Sequence, residues 1–234
     1  MENRVVAEFN EDGYLLYSET FPGAYTRGVS LEEAMTKFPE EIKRYCTWAS
    51  IELDDEVENI IVQETYSKLK ISDADSEVIF NSEKKALTMD EYNSLKKLVM
   101  KSAEDFQKLY ESIPDKDTTS LEERQTFYGS IPRTAGEMYI HTNGVTNYYV
   151  GEIGADINNV ANIVENRIKA LVSIEAQENF LQNQVFDGSY GEQWSLRKVL
   201  RRFIWHDRIH GKAMYRMAAK LWKKDIIVDP FFFR

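Results

Sequence analysis

The sequence predicts an α+β N-terminal domain of order βββαββ over residues 1–80, followed by an all-α four-helix bundle over residues 81–234. Three observations carry this. The hydrophobic period changes from two to about 3.6 near residue 87. The first 80 residues hold 7 basic and 18 acidic side chains, whereas the rest of this chain of net charge −10 is nearly neutral. Hydrophobic residues make up 43% and aromatics 12%, enough to build cores and far from the composition of a disordered chain.

The strand-like stretches come first. Val5–Phe9 and Tyr14–Ser18 flank a turn at Glu11-Asp12-Gly13, and turn signals at Pro22-Gly23 precede Ala24–Arg27. Ser30 reads as an N-cap, with Glu33 completing a capping box, for one helix from about Leu31 to Trp48. Ala34, Phe38, Ile42 and Cys46 recur every four residues along it, which makes Cys46 a buried helix residue rather than a nucleophile. Ile60–Leu69 and Ser76–Phe80 complete the order as two further strands.

The remaining elements follow the helical period. Thr88 caps a segment reaching about Ile113, and the polar, proline-bounded stretch 114–132 is a loop. Thr134 starts a second helix to about Ile153, and Asp156 a third to about Phe180. After a glycine-bearing loop at 183–193, Ser195 starts the last helix, to about Lys224. Four amphipathic helices with one long connection describe a bundle.

The chain has three histidines, all on two of these helices. His206 and His210 are four apart, one helical turn above the other, on a face shared with Val199, Phe203, Ala213, Met217 and Leu221. His141 lies mid-way along the second helix, near Met138, Val145 and Tyr148. Three imidazoles in one core are costly to satisfy by hydrogen bonds alone. A divalent ion held by all three resolves this and leaves coordination positions open, the mark of a catalytic site; ordinary core or surface histidines are the other reading of the same spacing. Zn(II) or Ni(II) suit imidazole best, with Mn(II) or Fe(II) as alternatives.

Two resemblances add expectations. Gly13-Tyr14, Phe21-Pro22-Gly23-Ala24, Gly28 and Ser30-Leu31-Glu32-Glu33-Ala34 resemble the HicB-like antitoxin domain over residues 4–50. That resemblance implies a degenerate RNase H-like fold that occupies a partner, although no DNA-binding module of the kind typical members carry follows it; a small accessory or dimerisation domain is the other reading. Residues 88–225 resemble the DinB-like (DinB/YfiT) metalloenzyme superfamily. The matches are Pro132-Arg133-Thr134-Ala135 leading to His141, Trp194-Ser195-Leu196-Arg197-Lys198-Val199-Leu200-Arg201, and Trp205-His206-Asp207-Arg208-Ile209-His210-Gly211-Lys212-Ala213. This implies a four-helix bundle binding a divalent ion through His141, His206 and His210. It further implies metal-dependent chemistry on a small molecule, with a low-molecular-weight thiol as substrate or co-substrate, in the manner of a transferase or hydrolase. Gly211-Lys212 departs from the arginine-glycine-glutamine run of many members, which bears on the substrate and not on the ligands.

Around the site, Glu137 lies one turn before His141, as a general base, an acceptor for a ligating imidazole, or a helix-start carboxylate. Arg202, one turn before His206, reads as an anion-holding or a surface residue. Asp207 points about 100° from His206 and suits a salt bridge better than ligation. Tyr148 and Tyr149 lie at the same level. The tail Phe231-Phe232-Phe233 is expected to dock on its own domain or on a second copy, and bundles of this kind pair as homodimers. A net charge of −10 argues against nucleic acid as partner. No apolar run approaches the roughly 20 residues that span a bilayer, and the acidic N-terminus does not read as a signal peptide, so the expected compartment is the cytoplasm. The functional alternative to an enzyme is a regulatory protein whose HicB-like domain binds a partner and whose metal is structural.

Overall fold

The computed structural model describes residues 1–53, 57–74, 76–126, 129–222 and 225–234. It is a mixed α/β arrangement, with an N-terminal sheet unit and a helical C-terminal part. Strands β1 (Glu2–Asn10) and β2 (Gly13–Ser18) form an antiparallel hairpin whose register runs from Val5↔Ser18 to Asn10↔Gly13. Asn10 Oδ1 accepts the Asp12 N–H at 2.9 Å, fixing the turn. Strand β3 (Tyr25–Gly28) pairs antiparallel with β2, and β4 (Glu58–Tyr66) pairs parallel with β1, giving the order β3-β2-β1-β4. The parallel pair requires a crossover, which helices α1 (Leu31–Thr36) and α2 (Phe38–Ala49) supply.

Both sheet faces are covered. Val5, Ala7 and Leu16 join Ala34, Phe38 and Ile42 in the main core, while Val6, Leu15 and Tyr17 pack with Ile71, Val78, Phe80 and Trp205 in a second cluster. This is the period-two alternation of a strand with two buried faces.

Two expectations for this unit are corrected. The single helix from Leu31 to Trp48 is broken at Lys37, because Pro39 has no N–H to give the preceding turn and is tolerated only in the first turn of a new helix. The every-fourth-residue stripe survives the break, with Ala34, Phe38, Ile42 and Cys46 all at most 2% exposed. The segment Ser76–Phe80 is not a strand. Side chains from other elements consume its main-chain groups: Glu8 accepts the Glu77 N–H, Arg202 donates to Ser76 O, Arg201 to Val78 O, and Gln63 to Ile79 O.

The C-terminal part is built on α3 (Met89–Ser112), α4 (Ala135–Gly151), α5 (Ile163–Glu175) and α6 (Leu196–Leu221). Thr88 with Glu91, and Thr134 with Glu137, form complete capping boxes, and Ser195 caps α6, as their spacing predicts. The third helix starts at Ile163 rather than Asp156 and ends at Glu175. Asn162 accepts the Glu165 N–H as the true N-cap, and Asn143 and Asn159 bond neighbouring main chain and hold the preceding segment outside the helix. The expected end of the last helix, Lys224, lies outside the described residues; α6 stops at Leu221. The loop after α3 carries a minimal ladder of β5 (Gln125–Thr126) with β6 (Gly129–Ser130), and the loop before α6 carries another of β7 (Phe186–Asp187) with β8 (Gln193–Trp194). Helices α3 and α4 each pack on both α5 and α6.

Helix α6 is buried on nearly every side from Leu196 to Arg208. Its basic side chains are inserted against acids and carbonyls: Arg201 pairs with Glu83 at 2.6 Å, Arg208 with Glu41 at 2.8 Å, and Lys198 with Glu192 at 2.8 Å. Ile204 of α6 lies against Gly23, whose φ of 93° and lack of a Cβ let the Pro22-Gly23 turn approach the helix. One continuous core thus runs from the sheet through α6 to the other helices. The tail docks on its own chain: Phe231 is 0% exposed, 5.7 Å from the Trp48 ring, and Phe233 stacks on it at 5.1 Å. Among the described residues no helix is long and apolar enough to cross a membrane.

Candidate metal centre

Helical geometry places His206 and His210 of α6 with rings 4.3 Å apart and Nε2 atoms 3.1 Å apart. Helix α4 packs against α6 and brings in His141, its ring 5.0 Å from His206 and 4.6 Å from His210. One ring nitrogen from each residue lies within 4.8 Å of the others, and a group of this kind can hold a metal ion. Bonds of about 2.0–2.1 Å to a common ion place imidazole nitrogens roughly 3.0–3.4 Å apart, and the His206–His210 pair already stands at that separation.

Electrostatics favour the ligating form. Burial holds the His206 imidazolium well below the usual histidine range, and His210, His141, Arg202 and Arg167 push it further down. Burial and His141 lower His210 to about 3, and partial desolvation lowers His141. All three rings are therefore neutral at neutral pH, with a lone pair available. His206 Nδ1 is buried and has no hydrogen-bond partner in the described structure.

The group is not at the centre of the helices, as the sequence suggests. His206 is buried, His210 half-buried and His141 exposed, so the cluster opens to solvent on the α4 side. The buried face of α4 carries Met138, Thr142, Thr146 and Tyr149. His141 stands about 100° from Thr142, at the edge of that face nearest α6. Tyr148 is half-exposed, whereas Tyr149 is buried with its ring 5.9 Å from His206.

The other residues singled out fall in different places. Glu137 is exposed, and its Oε2 accepts the N–H groups of Arg133 at 2.7 Å and Thr134 at 3.1 Å, which hold the carboxyl below its usual range. Arg202 is not on the surface. It is 8% exposed, donates to Ser76 O at 2.9 Å, and lies 5.0–5.5 Å from the rings of Trp205, Tyr149 and Trp194. Asp207 is fully buried, accepting from Ser102 at 2.7 Å and from Arg167 at 3.1 Å.

Arg167 is the neighbour that the sequence reading missed. It is 0% exposed, lies 3.7 Å over the Phe203 ring, and contributes positive charge at His206. A signal existed: within α5 it stands in the apolar series Ile163, Arg167, Ala170, Leu171 and Ile174, where a charged residue must be buried and paired. Gly211, after the last histidine, has a packing reason, since a Cβ there would stand 3.1 Å from Phe231.

Comparison with protein-family models, curated proteins and solved structures found no match to this chain.

Proposed function

We propose that this protein is a DinB-like metalloenzyme. In this reading its C-terminal helices form a four-helix bundle that binds one divalent ion through His141, His206 and His210, with Zn(II) or Ni(II) preferred. The reaction class is thiol S-transfer or hydrolysis on a small molecule. The observation that carries the reading is a cluster of three neutral imidazoles, buried at His206 and open to solvent at His141. A purely structural metal is normally enclosed by four protein ligands, whereas three ligands with a solvent-facing side leave room for a substrate.

When bound, the ion supplies Lewis acidity that lowers the pKa of a thiol or hydroxyl brought to it. The chain contributes the remainder. Burial keeps His206 and His210 deprotonated without competition from protons. Arg202 and Arg167 add fixed positive charge beside the site, favouring an anionic group on the substrate. Glu137, occupied in capping, orients the helix that presents His141.

Elemental analysis of protein purified without a histidine tag tests the site, beside a variant carrying His141→Ala, His206→Ala and His210→Ala. Roughly one equivalent of metal in the first and none in the second is expected; equal metal in both sinks the site. If metal is bound but no thiol-transfer or hydrolytic activity and no ligand binding depends on it, the regulatory reading replaces the enzymatic one.

A further inference from the structure

We infer that the metal centre has an apolar subsite at Gly144, which takes an aromatic substituent of the small molecule held at the ion; this rests on the three-histidine reading above. Gly144 is the tenth of the 17 residues of α4. A glycine inside a helix weakens it relative to alanine, by about fivefold in the folding equilibrium. Packing is one reason to keep such a glycine, as at Gly211, where an added Cβ would stand 3.1 Å from Phe231. At Gly144 an added Cβ meets no atom of the described residues within 4 Å, so the fold does not call for it. Gly129, Gly151 and Gly191 have equally open surroundings, but they stand at a positive φ or at the last residue of α4.

What Gly144 leaves open is the approach to the histidines. Helical side chains lean toward the helix N-terminus, so one at position 144 would lie over the turn that carries His141. His141 is the exposed member of the cluster, on the side where the cluster meets solvent. The walls of this gap are apolar. Ile140 and Tyr148 are each four residues from Gly144 and share one ridge of α4 with it, on the side of His141 away from the buried Thr142. Ile140 is 73% exposed and Tyr148 38%, and Trp194 braces the Tyr148 ring edge-on at 5.8 Å. The two ends of the ridge stand roughly 12 Å apart along the axis. A gap one side chain wide thus separates an aliphatic and an aromatic surface beside the open flank of the histidines. A ligand atom held at the imidazoles carries its substituent out past His141 into this gap, where a planar apolar group covers both walls.

Two measurements on the full chain test this. With a chelator present, Gly144→Ala should raise the urea midpoint, since alanine fits the space and favours the helix; a lowered midpoint means that the fold requires the glycine and overturns the proposal. In Co(II)-loaded protein, 2-mercaptoethanol and benzyl mercaptan, thiols of similar acidity, are titrated against the sulfur-to-metal charge-transfer absorption. The wild type should bind benzyl mercaptan about tenfold more tightly or better. Gly144→Leu, which fills the gap, should erase that preference while cobalt stays at about one equivalent. Equal affinity for the two thiols in the wild type, or a preference that survives Gly144→Leu, overturns the subsite and leaves the metal site standing. A wild type that takes up no cobalt, or a His141→Ala, His206→Ala, His210→Ala variant that takes up as much, overturns the three-histidine reading and the subsite with it.

Discussion

At the scale of single residues, the three imidazoles set a pH dependence whose sign can be worked out. The folded chain holds His206 and His210 below the histidine value of about 6.5 that the unfolded chain keeps. Below that value the unfolded state binds protons that the fold refuses. The metal-free protein should therefore lose stability as pH falls from about 6.5 toward about 3, by up to about 1.4 kcal/mol per pH unit for each of these two histidines. Denaturant midpoints measured with a chelator present check this; a slope that His210→Ala leaves unchanged would refute it. The histidines were legible in the sequence because helix periodicity alone puts positions 206 and 210 on one face. That His141 sits at the rim was not, since periodicity locates a face but not its edge. Only the surface reading of Arg202 fails, for a related reason: carbonyls and rings from other elements lie against it, and the sequence does not show them.

At the scale of elements, helix starts were readable to the residue where a cap chemistry marks them, as at Ser30, Thr88, Thr134 and Ser195. Elements failed where long-range side chains override local pattern. Ser76–Phe80 has the composition of a strand, yet Glu8, Arg201, Arg202 and Gln63 take its main-chain groups. The C-terminal tail is anchored by Phe231, on which Phe233 stacks. Phe231 fills the space between Trp48 of α2 and Gly211 of α6. Phe231→Ala should cost about 3–5 kcal/mol by chemical denaturation, and Phe232→Ala, at a half-exposed position, far less. Equal losses would mean that Phe231 does not anchor the tail.

At the scale of the whole molecule, the sheet and the helices are held together by buried charge. Arg208 is 0% exposed among the rings of Tyr45, Trp48, Phe231 and Phe233, and Glu41 from α2 supplies its carboxylate. Glu41→Ala should destabilise by about 3–5 kcal/mol because it strands that guanidinium. Tryptophan fluorescence and far-ultraviolet circular dichroism should still report one coincident transition, as expected of a single cooperative unit; two separated transitions would show that the sheet unfolds alone. The charge contrast between the first 80 residues and the rest was visible in the sequence, but its meaning was not. Part of that acid excess is the counterpart of the basic face of α6. This arrangement also limits how such a chain can be rearranged over generations. Position 41 on one side and position 208 on the other act as a compatibility code, so a gene segment encoding either part cannot be exchanged for a foreign one unless the matching charge travels with it.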